Sequence, residues 1–509
     1  MKHMNLKAST LWMKRMGCHA LALILLVSFI SCAQGVEEPV TEESRSETIT
    51  EAVTDDPNYV CDLPAGLSFG GATVTMAMAN GEGHVDEFIT DGLGGGVVSD
   101  AVYERNVAVE EMLDIVLEFY EGDVMGMVDR DIQSGSCEYE LVDNVTFLAC
   151  TSAISGKYLN LSVLDHIDTS KHYWNQGYNE MSTFTNENVQ YLASGALAFS
   201  MYRLAYMTLY NRTLFEEYKI DDLYEAVQSG KWTLDMQLSI IKDHYFDKDG
   251  DGKVSEGDFY GFVSGDTVSV DPYLVTSDIH LISKDPSTGD LVFNSDQVSR
   301  VSDLCDKVQL LYNDASTYLY RGTDDIVASD CVITSFMEEN ALMVTSLFYK
   351  METNFDRLAE MTYGIAPIPK YDELQKEYHS YVQAAVSSFG ISAGIGDPKR
   401  QEKCAAALEA MAYHSYLMIR PAYYEIVLSD RYMQDPQSME VLDLIFATLD
   451  FDFTSCWSDI LGNANIRNGL RPVLSGERNT VSSTFRSWER SVNKTLGDYN
   501  EQIGMNMGS

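Results

Sequence analysis

The chain has 509 residues, with 35 Lys+Arg against 77 Asp+Glu, a formal net charge of −42 and 30 tyrosines. That length is too great for a single hydrophobic core, so two lobes or domains are expected. A surface this acidic repels phosphate backbones and shows no basic stripe; it excludes nucleic acid as a partner and serves solubility.

The first element is a targeting segment. Lys2, Lys7, Lys14 and Arg15 precede an apolar run at 20–30 (ALALILLVSFI), which ends in Ser31 and Cys32. This is the plan of a secretory signal peptide, and the run is short for a membrane span. The stretch Phe29, Ile30, Ser31, Cys32 resembles a bacterial lipobox, with Phe29 where leucine is usual. The resemblance implies a signal peptide over 1–31 and lipid on Cys32. An acidic tether follows over 32–60, rich in Glu, Thr and Ser and unable to build a core. Cys61, Cys137, Cys150, Cys305, Cys331, Cys404 and Cys456 come after it. An odd number with no CxxC spacing argues against a disulfide framework or a zinc site, and most are read as small buried apolar groups.

Folded sequence is expected from about Leu67. Residues 72–79 (ATVTMAMA) read as a buried strand that breaks at Asn80 and Gly81. The glycine-rich 92–96 lacks a phosphate-loop lysine and reads as a turn. Asp100 can cap a helix over 101–113. Strands are predicted at 115–120, 139–142, 202–210, 259–263 and 341–344, and helices at 232–244 and 401–418. Residues 363–369 are extended, because each proline disfavours helix in the residue before it. Strands alternating with helices predict mostly parallel sheets with helices on both faces.

Residues 247–258 (DKDGDGKVSEGD) are the sharpest local motif. Asp247, Asp249, Asp251 and Asp258 occupy loop positions 1, 3, 5 and 12, with Gly252 at 6 and Val254 at 8. Alternating oxygen ligands around a glycine turn are the EF-hand pattern for calcium, with Lys253 offering its carbonyl. Asp258 stands where glutamate is usual, which favours weaker binding. The expectation is a structural calcium ion, against an acidic turn that binds nothing.

Several stretches, in order, resemble the extracellular sugar-binding proteins of bacterial ABC transporters. They are 100–115 (DAVYERNVAVEEMLDI), 224–235 (YEAVQSGKWTLD) with Tyr260, Gly261 and Phe262 beyond the acidic loop, 336–343 (FMEENALM), 363–371 (YGIAPIPKY) and 415–427 (SYLMIRPAYYEIV). The resemblance implies an α/β, two-lobed, type II periplasmic-binding-protein-like fold with a hinge and an interlobe cleft. It puts 61–204 with 366–419 in one lobe and 205–365 with 420–509 in the other. It further implies a monomer, lipid-anchored on the outer face of the cell membrane, that passes a small solute, a sugar, to ABC permease subunits.

Sugar sites stack apolar ring faces on aromatics and hydrogen-bond the hydroxyls with polar side chains. Positions at strand ends or near crossings are therefore the ligand candidates: Asn80, Glu82, Asp143, Asn144, Tyr202, Tyr273, Phe348 and Trp457. Phe348 stands where related receptors often carry tryptophan. Trp174 and Trp232 read as core anchors. No GxSxG, HExxH, P-loop or dinucleotide motif is present in the sequence. The competing readings are a surface glycosidase or lyase and a calcium-stabilised adhesin.

Overall fold

The computed structural model describes residues 61–81, 84–184, 189–322, 325–424, 428, 433–459, 461 and 465–506. All of these fall in one compact unit, Val60–Ser509. Cys32, the signal segment, the tether and Glu82 lie outside the described residues.

Among the described residues two sheets are built mainly from nine strands: β1 Ala72–Ala79, β2 Ile115–Gly122, β3 Leu141–Val145, β4 Tyr206–Asn211, β5 Phe259–Gly265, β6 Thr317–Tyr320, β7 Ala341–Leu347, β8 Tyr363–Ala366 and β9 Ser387–Ile391, with a short tenth at Tyr245–Phe246. The first sheet has the order β9-β3-β1-β2. β1 is parallel to β2 (Ala72 opposite Ile115) and to β3 (Met76 opposite Leu141), while β9 returns antiparallel to β3. The last four residues of β1, MAMA, are all buried, as a central strand covered on both faces requires. β2, at the edge, alternates in exposure instead, with Val116 and Tyr120 turned outward and Ile115, Leu117 and Phe119 inward.

The second sheet has the order β6-β5-β7-β4-β8, with Tyr245–Phe246 pairing beside β5. β5 runs parallel to β6 and β7, and β4 runs antiparallel to β7 and β8. All seven residues of β7 (ALMVTSL) are buried, so this strand forms the middle of the lobe. The architecture is the two-lobed α/β periplasmic-binding-protein-like fold, with both lobes holding mixed sheets.

Two element boundaries differ from expectation for identifiable reasons. The first helix, α1 Val97–Leu113, begins before Asp100. Asp100 instead turns its carboxylate back onto the amides of Gly94 (2.7 Å) and Gly95 (3.1 Å). Gly94 and Gly96 hold φ near +98° and +107°, open to glycine at little cost, so the loop folds over the helix start. The predicted strand over 202–210 splits into a helical turn, Ser200–Arg203, and β4 from Tyr206. The Leu204 amide bonds back to the Ser200 carbonyl at 2.8 Å, which closes that turn before the strand can start. The long helix α2, Pro398–Arg420, packs on α1. Trp174 and Trp232 are core residues, with indole N–H groups bonded to Glu409 (3.0 Å) and to the Pro367 carbonyl (2.7 Å).

Candidate solute-binding seam

The lobes are joined where the chain crosses between the sheets. The outgoing strand meets the returning one in a bridge between Ala205 and Val382, and the Gln383 amide donates to the Leu204 carbonyl at 2.9 Å. The rings of Tyr206 and Tyr381 stack with centroids 5.6 Å apart. Beside this hinge, Arg203 is clamped between Asp86 (2.8 Å) and Glu352 (2.6 Å), which lie near β1 and just after β7. One guanidinium therefore ties both lobes to the crossing.

On the first-lobe side, the ends of β1, β3 and β9 gather buried polar groups. The Glu87 carboxylate accepts from the Ser200 amide (2.6 Å) and the Ser387 hydroxyl (2.5 Å). His84 Nδ1 lies 2.9 Å from the same hydroxyl. Asp143, fully buried, has no well-formed hydrogen bond to either oxygen among the described residues, although the Ser387 hydroxyl and the Ala79 amide approach it. Burial raises the Glu87 carboxyl well above the carboxylate range, and Asp143 raises it further; burial raises Asp143 likewise. Burial lowers His84 to about 4, so it is neutral near pH 7. Arg105, also buried, spends its donors on the Glu87 carbonyl (2.6 Å), Ser415 (2.9 Å) and Asn106 (2.8 Å).

The second-lobe side handles burial by pairing. Arg471 forms a two-pronged ion pair with Asp271, at 2.8 and 2.6 Å. Burial raises the Asp271 carboxyl, and Arg471 opposes the shift. Contacts then cross the seam. The Arg467 guanidinium lies 5.3 Å from the Phe147 ring centroid, and Trp457 packs 4.8 Å from Phe184 with its N–H toward the Met181 sulfur.

Beyond that closed centre the seam opens into a groove of two adjoining chambers, about 600 and 400 Å³. Asp168, Thr169, Asn179 and Gln190 line the larger, and His280, Asp450, Phe451 and Phe453 the smaller; Glu180 and Lys284 line both. Lys284 reaches across to donate to the Glu180 carbonyl. His280 is raised to about 9, chiefly by its hydrogen bond to Asp452 and against the cost of burial, with Asp450 and Asp278 adding to it. The groove thus mixes polar and apolar lining, with Lys284 reaching both chambers from the far side of the crossing, and is of the size that small-molecule sites occupy.

The sequence-predicted residues are not all gathered here. Asn80 is exposed at the end of β1. Asp143 and Asn144 end β3 as expected but are buried. Tyr202 packs against Phe446 at 4.9 Å. Tyr273, Phe348 and Trp457 are core rings, each at most 1% exposed, and pack on Tyr312, Phe446 and Phe453 respectively. In this arrangement aromatic neighbours already pack against these four rings. In the acidic loop, Asp251 turns to its own chain, accepting the Lys253 amide at 2.7 Å, and does not join the group formed by Asp247, Asp249 and Asp258. The groove residues at 168–190 went unnoticed in the sequence. They sit in a polar stretch (DTSKHYWNQGYNE) without periodicity, and its density of Asn, Asp, Gln and Thr was the only signal.

No protein-family model matches the sequence, and no curated protein matches it in sequence. Solved structures do share its fold. One is the galacto-N-biose-/lacto-N-biose I-binding protein of an ABC transporter from Bifidobacterium longum, in complex with lacto-N-biose. It is 12% identical, has a TM-score of 0.54, and the match covers 84% of this chain and 98% of that one. A maltose/maltodextrin-binding domain from Bdellovibrio bacteriovorus, bound to maltotriose, is 13% identical with a TM-score of 0.50, covering 84% and 99%. An ABC substrate-binding protein from Listeria monocytogenes in complex with cycloalternan gives the same values.

Proposed function

We propose that this chain is the solute-capturing component of an ABC importer, and that it takes a neutral sugar or short oligosaccharide into the seam between its lobes without altering it chemically. The observation that carries the reading is the groove: two chambers walled from both sides of a paired-strand hinge, lined by amides, hydroxyls, carboxylates and two phenylalanines. Such a lining can satisfy sugar hydroxyls while apolar faces meet rings. The similar structures bound to lacto-N-biose, maltotriose and cycloalternan support a sugar over an anion, as does the charge of −42. Closure must be driven by contacts made only when both lobes surround the solute, because a ligand that binds open and closed states equally shifts nothing.

The reading includes a monomer outside the cytoplasm, held by lipid on Cys32 and meeting permease subunits of the transporter. Among the described residues no helix is long and apolar enough to cross a membrane. The support for the anchor is the sequence at 20–32. Cys32→Ala is expected to move the protein from the membrane fraction to the soluble fraction, since the two chains of a diacylglyceryl group hold where one barely does. Retention of the cleaved Cys32→Ala protein on membranes would refute the anchor.

The test of capture is a thermal-shift screen against neutral mono- and oligosaccharides, followed by calorimetry on the hits. Glu180→Ala and Lys284→Ala, at the junction of the two chambers, are each expected to weaken the best sugar about tenfold or more, on the scale of one lost charged hydrogen bond. Full affinity in both variants would place the solute elsewhere, and cleaved product accumulating with time would make the protein an enzyme.

A further inference from the structure

The loop between the helix Leu234–Ile241 and β5 lies away from the seam. One oxygen from each of Asp247, Asp249 and Asp258 lies within 4.8 Å of the other two. Asp247 and Asp249 are exposed, whereas Asp258 is entirely buried at the base of the loop. The two oxygens of Asp258 differ. Oδ2 accepts from the Ser255 amide (3.0 Å) and from the hydroxyls of Tyr245 (3.2 Å) and Tyr260 (3.4 Å). Oδ1 is shielded from solvent and has no hydrogen-bond donor among the described residues. A buried carboxylate oxygen without a donor costs free energy, and two further carboxylates nearby add repulsion. A cation relieves both at once.

We propose that Asp247, Asp249 and Asp258 bind one calcium ion, which locks the start of β5. Calcium takes six to eight oxygens in flexible geometry. The Ser255 hydroxyl, already 3.2 Å from Asp249, and the Lys253 carbonyl are further donors in the loop, and water completes the shell. The glycines set the shape: Gly250 and Gly252 hold φ near +74° and +73°, and their amides bind Asp247 at 2.7 and 2.8 Å, so the loop is curled before any ion arrives. The loop is also anchored. Lys248 donates to the carbonyls of Glu338 (3.0 Å) and Glu339 (3.2 Å) and to the Asn340 side chain (2.6 Å), at the turn that leads into β7. An ion here therefore ties together the starts of the two central parallel strands, at the ends remote from the hinge. Val254 is 72% exposed, so the loop is a single hand with no partner hand covering its apolar position. The role is structural, independent of the solute.

The test uses the full-length protein, stripped with chelator and titrated with calcium chloride, with magnesium chloride in parallel. One equivalent of calcium should bind, in or below the 10⁻⁴–10⁻³ M range of about that order seen in extracellular modules. The melting temperature should rise by about 2–4 °C. Terbium in place of calcium should luminesce on excitation of Tyr245 and Tyr260. Asp258→Asn, which keeps shape and removes charge, should weaken calcium binding about tenfold or more. Asp247→Asn, at an exposed position, gives the same readout should the buried variant fail to fold. Absence of saturable calcium binding, unchanged affinity in Asp247→Asn, or magnesium binding as tightly as calcium would each overturn the proposal.

Discussion

The two sides of the seam bury carboxylates by opposite means. On one side, Glu87 and Asp143 are buried together with hydroxyls, an amide and a neutral histidine, and their carboxyls are pushed up. On the other, Asp271 is buried against a two-pronged arginine. Burial disfavours charge in both places, and what differs is the partner. Hydroxyls can serve a protonated or an ionised acid, so the first side can take up a proton instead of a counter-ion. A guanidinium demands an ionised acid, and the pair holds only while both members remain.

That contrast can be broken first where the effect is largest. Arg471→Met leaves Asp271 buried without its cation. The expected loss is about 3–5 kcal/mol of stability, measured by denaturant unfolding. A loss under about 1 kcal/mol would show that Asp271 finds water or another donor.

The next prediction concerns pH. Carboxyls raised in the folded state bind more protons folded than unfolded, so their contribution is full below the ordinary carboxylate pKa, near 4, and is lost as pH rises through their folded values. The Glu87–Asp143 pair should therefore make stability fall with pH above about 4, by up to about 1.4 kcal/mol per pH unit for each proton of difference. Replacing Asp143 with Asn removes one titrating group and relieves Glu87, which should flatten the slope of stability against pH in parallel melts. An unchanged slope would locate the titration elsewhere.

The smallest effect sharpens the comparison. Asp325 lies 4.0 Å from Arg471 but is 43% exposed. Asp325→Asn should change stability by at most about 0.5 kcal/mol, because solvent screens such pairs. A larger loss would mean that the arginine is shared and that Asp271 is not its dominant partner.

How far the sequence could be read follows from what each pattern reports. Strands such as β1 and β7 were legible because continuous apolar runs leave few alternatives, whereas β6 and β9, short and rich in Thr, Tyr, Ser and Gly, were not predicted. The end of β3 was located at Asp143 and Asn144, but nothing in a sequence tells that Asp143 meets Glu87, 56 residues earlier, in a dry pocket. The aromatics were the weakest guide. A ring at a strand end, such as Phe348, serves a sugar or a core equally well, and only the neighbouring Phe446 decides. The groove was missed because its walls come from polar loops, which carry no period. The acidic loop was legible because its spacing encodes its geometry, up to Asp251, whose turn onto the Lys253 amide depends on local backbone angles.

The central claim is that a solute binds between the lobes and draws them together. Small-angle scattering of the full-length protein, with and without a saturating sugar drawn from the thermal-shift screen, tests it most directly. The account predicts a smaller radius of gyration with the sugar bound. A radius that stays the same while calorimetry shows the sugar fully bound would contradict it.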